Sequence, residues 1–367
     1  MKIAFYGSSL LSSYWNGAAT YYRGILRSLA ELGYDITFYE PDVYDRQKNR
    51  DIEAPPWCRV VVYQPTPEAL TAVIAEARQA DIVVKASGVG FADDDLVFRL
   101  PEAARPGALR IFWDVDAPAT LAEIRQSVEH PVRQALKEID LVLTYGGGAP
   151  VVDAYRALGA RDCIPIYNAL DPTTHHPVAP DPRFDADLAF LGNRLPDREA
   201  RVESFFLDVA AELPDRQFLL GGSGWHDKPM SSNMRSIGHV STRDHNAFNV
   251  SPKAVLNISR SSMAETGFSP ATRVFEAAGA GACLITDYWE GIELFLKPDE
   301  EVLVARDGRD VRDIMAELSP DRASAIGSAA LRRVQAEHTY RQRAAEADRI
   351  FRTLLGSDQL PRERASA

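Results

Sequence analysis

Histidine, cysteine and long apolar runs are all scarce in this 367-residue sequence, and each shortage excludes a class of chemistry or location. None of the seven histidines precedes His130, so no histidine can act as a base on the loop after the first predicted strand. The three cysteines, Cys58, Cys163 and Cys283, are far apart and contain no CxxC pair. That spacing fits reduced thiols, not a disulfide framework or a zinc site. No apolar run approaches the ~20 residues that span a bilayer. Met1-Lys2 is followed by only four apolar residues before Gly7, too few for a signal-peptide core. A strongly basic amphipathic helix is missing as well. The expectation is a cytoplasmic protein with no transmembrane segment. Basic charge is short too. A net charge of -11 argues against general nucleic-acid binding, which needs a concentrated basic surface. It leaves room for a small anion held by a few placed arginines. There is no G-x-G-x-x-G spacing, so a nicotinamide dinucleotide is not indicated.

What is present is ordinary globular composition, with 46% apolar and 25% charged residues. At ~150 residues per domain the length suggests two domains. Short apolar runs at 2–6, 35–40, 59–63, 81–86, 109–113, 140–145 and 163–167 read as strands. Tyr22, Ile25, Leu26, Leu29 and Leu32 recur at helical spacing, with Gly33 placed as a C-cap. Continuous apolar strands belong to a parallel sheet covered on both faces. Around 168–185 the pattern breaks. Pro172, Pro177, Pro180, Pro182 and the pair His175-His176 lie there without periodicity or nearby metal-ligand partners, and the stretch reads as a linker. Alternation restarts with strands at 187–192, 217–221, 236–240, 253–259, 282–286 and 301–305, and helices at 198–213 and 272–280. Residues 310–355 look helical, and the tail after Gly356 is expected to fray. The expected fold class is α/β: two doubly wound domains facing a cleft, at 1–170 and 187–340. A linker at 171–186 joins them, and a helix with its tail covers 341–367. Ligands of such domains bind at the carboxyl ends of the strands.

The segment 255–287, VLNISRSSMAETGFSPATRVFEAAGAGACLITD, is the richest in chemistry. A strand ends at Ser259-Arg260, a loop follows, and a helix begins near Pro270 and Thr272. Unpaired N–H groups and partial positive charge at a helix start can hold phosphate. Arg260 and Arg273 can add charge-assisted bonds to a diphosphate. Glu276, one turn along, can accept from two vicinal ribose hydroxyls. The plainer reading makes Arg273 and Glu276 an i,i+3 surface pair.

This segment resembles the carboxyl-terminal domain of GT-B glycosyltransferases, whose pattern is a glycine-containing loop followed by E-A-x-A-x-G-x-P-V-I. It is most similar to the CgeB-like (spore maturation protein) branch, where S-x-A-x-R-x-F-E-A-A-G-x-G-A-C-L-I-T-D-like blocks occur. Further similarity lies in Leu191-Gly192-Asn193-Arg194-Leu195, in Gly238-His239-Val240, in Gly291, Ile292 and Glu293, and in Glu337-His338-Thr339-Tyr340. It covers residues 187–355 well and the first half only in general plan. The resemblance implies two Rossmann-like domains, an acceptor side at 1–170 and a donor side at 187–340, with the last helix crossing back to the first domain. It implies that Asn193 and Arg194 serve the donor phosphates and that the backbone of Gly238, His239 and Val240 reads the base. Many retaining members carry two glutamates eight positions apart. Here the second is Glu276, while Phe268 stands where the first belongs and Glu265 is three residues too early.

Other loops are candidates by position. Gly7, Ser8, Ser9 and Gly17 bound the loop after the first strand, where backbone close to a ligand favours small residues. Asp114 and Asp116 follow a strand and are candidate bases for an acceptor hydroxyl; the plainer reading is turn formation or helix capping ahead of Pro118. Gly222 and Trp225 lie in a glycine-rich loop, where the indole can stack on a base or sugar or simply pack. The expected function is metal-independent transfer of a sugar from a UDP-, GDP- or dTDP-linked donor to an acceptor hydroxyl, without a cofactor. Alternatives are a sugar-nucleotide epimerase on the same scaffold, or a non-catalytic carbohydrate-binding or coat-associated protein.

Overall fold

The structure, a computed structural model, describes residues 1–14 and 16–357; the polar tail expected to fray lies outside the described residues, apart from its first positions. The chain divides into two compact units. One comprises Met1–Tyr167 together with the segment from Tyr340 onward, the other Asn168–Thr339.

The first unit is built on seven parallel strands: β1 (Lys2–Tyr6), β2 (Asp35–Pro41), β3 (Arg59–Tyr63), β4 (Ile82–Ala86), β5 (Leu109–Asp114), β6 (Leu141–Thr144) and β7 (Cys163–Pro165). Their order is β3-β2-β1-β4-β5-β6-β7. Unbroken β-branched and aromatic runs suit strands buried on both faces, and β4 and β6 are buried at every position. The helix Ala19–Glu31 buries Tyr21, Tyr22, Ile25, Leu26 and Leu29, a stripe at three- and four-residue steps. The helix Tyr340–Ser357 packs on it. Gly24 makes that contact possible, because a Cβ there would lie 2.1 Å from the Tyr340 ring.

Six parallel strands make the second unit: β8 (Leu188–Leu191), β9 (Phe218–Gly221), β10 (Met234–Gly238), β11 (Ala254–Asn257), β12 (Leu284–Asp287) and β13 (Leu303–Ala305). Their order is β10-β9-β8-β11-β12-β13. Its core gathers Phe190, Phe206, Phe218, Leu256, Ile285 and Met315. In each sheet the order reverses beside the first strand, between β1 and β4 and between β8 and β11. Such switch points leave a crevice outside the strand ends, where doubly wound sheets bind ligands.

Three expectations change. β10 lies at Met234–Gly238, two residues earlier than the apolar pattern suggests, because Gly238 turns to φ 66° and ends the strand. The expected loop after Arg260 contains a short helix, Ser261–Thr266. The stretch expected as a linker belongs to the second unit. Asn168, Asp171 and His175 are buried there, and the Leu170 N–H donates to the His338 carbonyl at 2.7 Å. Prolines break its periodicity without exposing it. Among the described residues no helix is long and apolar enough to cross a membrane.

Candidate functional site

The crevice between β8 and β11 is lined by the loops that leave them. After β8 the chain turns through Gly192 and Asn193, and Arg198 folds back over the strand end. Its Nη2 donates to the Asn193 carbonyl at 2.5 Å, and its guanidinium lies 5.7 Å from the Phe190 ring centroid. Gly192 is required for this, since a Cβ there would come within 2.8 Å of the same Nη2. The Nε of Arg198 is buried without a partner. Burial, together with the nearby Arg273 and Arg260 guanidiniums, pushes its pKa down to about 10. Three arginines therefore share one region. Arg260, just past β11, donates from Nε to Asp197 Oδ2 at 2.6 Å. The preceding Ser259 is locked by buried Asp287, which accepts from its N–H at 3.0 Å and its hydroxyl at 3.1 Å.

Beyond Arg260 the short helix ends at Gly267 (φ 72°) and Phe268 (φ 49°). The Phe268 N–H donates to the Glu290 carbonyl at 2.6 Å, and its ring covers Gly291, where a Cβ would meet it at 2.2 Å. The position that holds a glutamate in the resembled pattern is thus a packed aromatic in left-handed backbone. The helix Thr272–Ala280 starts two residues after Pro270, whose carbonyl instead accepts from Asn168 Nδ2 at 3.0 Å. No side chain caps this helix start; the Ser269 hydroxyl just before it and the Oδ1 of Asn168, whose amide reaches Pro270, are buried without partners. Polar groups left in this state suit a ligand's hydroxyls or phosphate oxygens.

Arg273 does not pair with Glu276. It donates to Asn249 Oδ1 at 3.3 Å. Glu276 instead faces His175 and His245, with one donor atom from each of the three residues lying within 4.8 Å of the others. This corrects the expectation that His175 lacks a carboxylate neighbour. Burial opposes charge on Glu276, but His175, Arg273 and His245 hold its carboxyl below the ordinary value. Burial first, then Arg273, pushes His245 down to about 4. The imidazole is neutral at physiological pH.

Several expected site residues sit elsewhere or serve the scaffold. Arg194 is paired with Glu199 at 2.7 Å and with Asp227 at 2.7 Å. Trp225 is buried, with Nε1 donating to the Gly192 carbonyl at 2.8 Å and its ring edge-on to Phe190. It cannot stack on a ligand. Gly222 (φ 113°) lets β9 pass the Gly192 carbonyl, which a Cβ would approach to 2.2 Å. Gly238 follows on β10, His239 is exposed and Val240 is buried. In the first unit Ser8 and Ser9 are buried and bond Asn16 Oδ1 at 3.0 Å and Glu40 Oε1 at 3.1 Å, so their hydroxyls hold the loop together. Gly7 packs on Phe38, while Gly17 has open space around it. Asp114 is wholly buried and accepts from Ser87, Thr120, Tyr155 and the Asp116 N–H. No acceptor hydroxyl can reach it, which excludes it as a base. Asp116 stands at the start of the helix Ala117–Gln126.

Two residues that sequence reasoning passed over belong to the site, Arg198 and His245. Arg198 lies four positions beyond Arg194 in the same arginine-bearing loop, a signal that was legible but ambiguous.

Residues 198–349 match the family model described as glycosyl transferase-like. No curated protein matches the chain by sequence. Solved structures with a similar fold include the sucrose-phosphate synthase of Thermosynechococcus elongatus, at TM-score 0.73 and 15% identity over 97% of this chain and 100% of that one. Another is Anabaena Alr3699/HepE in complex with UDP and glucose, at TM-score 0.66 and 12% identity over 96% and 100%. A third is T4 phage BGT in complex with UDP-glucose, at TM-score 0.58 and 12% identity over 97% and 98%. The segment that holds the arginine crevice therefore matches a glycosyl transferase-like family model, and the two doubly wound parallel sheets have the GT-B fold of these solved structures.

Proposed function

We propose that the chain transfers a sugar from a nucleotide-diphosphate sugar to an acceptor hydroxyl, with the donor held at the β8/β11 switch point. The observation that carries this reading is the gathering of Arg198, Arg260 and Arg273 at these strand ends, where the Nε of Arg198 is buried without a partner. Like charges that depress one another's pKa are relieved by an anion. Guanidiniums also match phosphate oxygens bidentately. The uncapped start of the helix Thr272–Ala280 adds N–H groups and partial positive charge. As the sugar leaves, charge grows on the departing diphosphate, and these fixed donors stabilise it without reorganising. Glu276, charged at neutral pH, accepts from the ribose hydroxyls. The complexes of HepE with UDP and of T4 phage BGT with UDP-glucose support a uridine donor ahead of a guanosine or thymidine one. The blocks around Arg273 and Glu337 support a place in the CgeB-like branch.

A thermal-shift screen with UDP-, GDP-, dTDP- and CMP-sugars tests the proposal. A donor at a hundredfold its Kd stabilises the folded chain by about 2.7 kcal/mol. Arg198→Ala and Glu276→Ala should each weaken that donor at least about tenfold while the unliganded chain stays folded. Undiminished affinity in both variants, or no response to any nucleotide, would sink the assignment. Incubation with the donor alone should return it unchanged, since an isomer would mark an epimerase.

A further inference from the structure

We propose that the second unit carries a transition-metal site in which His175, His245 and Glu276 bind a zinc-class dication, leaving a coordination position open. The three come from separate segments: the buried stretch after β7, the first residue of the helix His245–Val250, and the middle of the helix Thr272–Ala280. Folding nevertheless brings one donor atom of each within 4.8 Å of the others. The imidazole centroids are 6.4 Å apart.

Each imidazole has a partner on one ring nitrogen. His175 Nδ1 lies 3.0 Å from the Thr174 hydroxyl, which also reaches the Asp171 carbonyl at 3.2 Å. His245 donates a ring N–H to the Val240 carbonyl, which leaves its other nitrogen an acceptor. This outer-shell pattern is the one that orients metal-binding imidazoles. Glu276 is influenced by charge and burial alone, with no hydrogen-bond donor on its carboxylate. Two imidazoles and a carboxylate thus converge, a donor set that a cation can draw together.

Two nitrogens and one oxygen suit zinc and its neighbours and are too few and too soft for magnesium or calcium, which take six or more oxygens. Metal–ligand distances of about 2.0–2.2 Å require the donors to close by roughly 1 Å, a movement within the three χ angles of Glu276. Arg273 is the nearby opposing charge. It is held toward Asn249, and its charge is balanced by Glu276 before the ion arrives. The site shares Glu276 with the donor reading but does not rest on it, and no step of sugar transfer is routed through the ion.

The full chain, stripped with a chelator, is titrated with zinc chloride by calorimetry. One ion per chain is expected, not displaced by a large excess of magnesium. His175→Ala, His245→Ala and Glu276→Gln should each weaken zinc at least about tenfold. His176→Ala, removing the exposed neighbour, should leave affinity unchanged. Zinc-soaked crystals of the unaltered chain provide a readout independent of any variant's folding, and an anomalous peak among the three side chains is expected. A peak elsewhere, no stoichiometric binding, or undiminished affinity in a His175→Ala/His245→Ala variant overturns the site. UDP titration of the metal-free chain runs alongside. UDP binding without zinc binding defeats the metal site alone, and zinc binding without UDP binding defeats the donor reading alone.

Discussion

Side chains in this molecule are assigned by what already holds them. Arg194 and Arg198 have equal claims in sequence, yet Asp227, from the loop after β9, neutralises the first and nothing reaches the Nε of the second. A distance of some thirty residues hides that partner from any local pattern. Asp114 shows the same limit, because a strand-end aspartate reads as catalytic until Tyr155 and Thr120 arrive from other elements to enclose it. Arg273 and Glu276 were legible because helical spacing and a small-residue stretch lie within one short segment. His245 was not, since its neighbours come from two other segments. At this scale Asp51 carries a pH prediction. Burial opposes its charge, but bonds from Arg23 at 2.7 Å and from the Ser13 N–H and hydroxyl hold its carboxyl below the ordinary value. A depressed folded pKa adds stability that is fully present above the unfolded value of about 3.9 and is lost as pH falls through the folded one. Asp51→Asn should therefore cost about 1 kcal/mol at pH 7 by denaturant unfolding. The difference from the unaltered chain should vanish in acid. A gap that persists at low pH would refute the attribution.

Elements were read more faithfully than residues. β1 and β3 and the helix Thr272–Ala280 lie where periodicity places them, because each follows an unbroken apolar run or a clean 3.6-residue stripe. The misses share a cause. Residues 261–266 are polar and short, so their helix depends on tertiary contacts such as the Ser261 N–H and hydroxyl bonds to the Asp197 carbonyl. The proline-broken stretch after β7 buries polar side chains through turns, and no hydrophobic period reports that. Helix packing supplies a sharper test. Gly24 sits against the Tyr340 ring with no room for a Cβ. Gly24→Ala should lower stability by about 1–3 kcal/mol through overpacking, seen as a reduced Tm. Trimming Tyr340 to Ala in the same chain should recover part of that loss. Simple addition of the two single effects would show that the sites do not couple.

At the level of the whole chain, the first unit is discontinuous and the second is not. The helix Tyr340–Ser357 contributes Tyr340, Ala344, Ala347, Ile350 and Phe351 to the first unit's buried surface, and Asp348 accepts from the Tyr34 hydroxyl at 2.8 Å. Burial of large apolar side chains is worth about 1.5–3 kcal/mol each. Their removal is therefore comparable to a typical domain's total stability of about 5–15 kcal/mol. A chain ending at Thr339 should lose protease resistance across residues 1–167 and keep it across 168–339. Equal resistance of both regions would show that the helix is dispensable.

That division also sets an order of events during synthesis. Residues 1–167 leave the ribosome first but cannot complete their packing until residue 357 has followed. At about 5–20 residues per second that interval is roughly 10–40 s. Throughout it, the helix Ala19–Glu31 has no Tyr340 against Gly24, and the face it turns toward that partner stays open to chaperones or to misassociation. The second unit, encoded without interruption, is complete sooner. The half of the molecule proposed to bind the nucleotide is therefore complete before the half whose strands precede it in the chain.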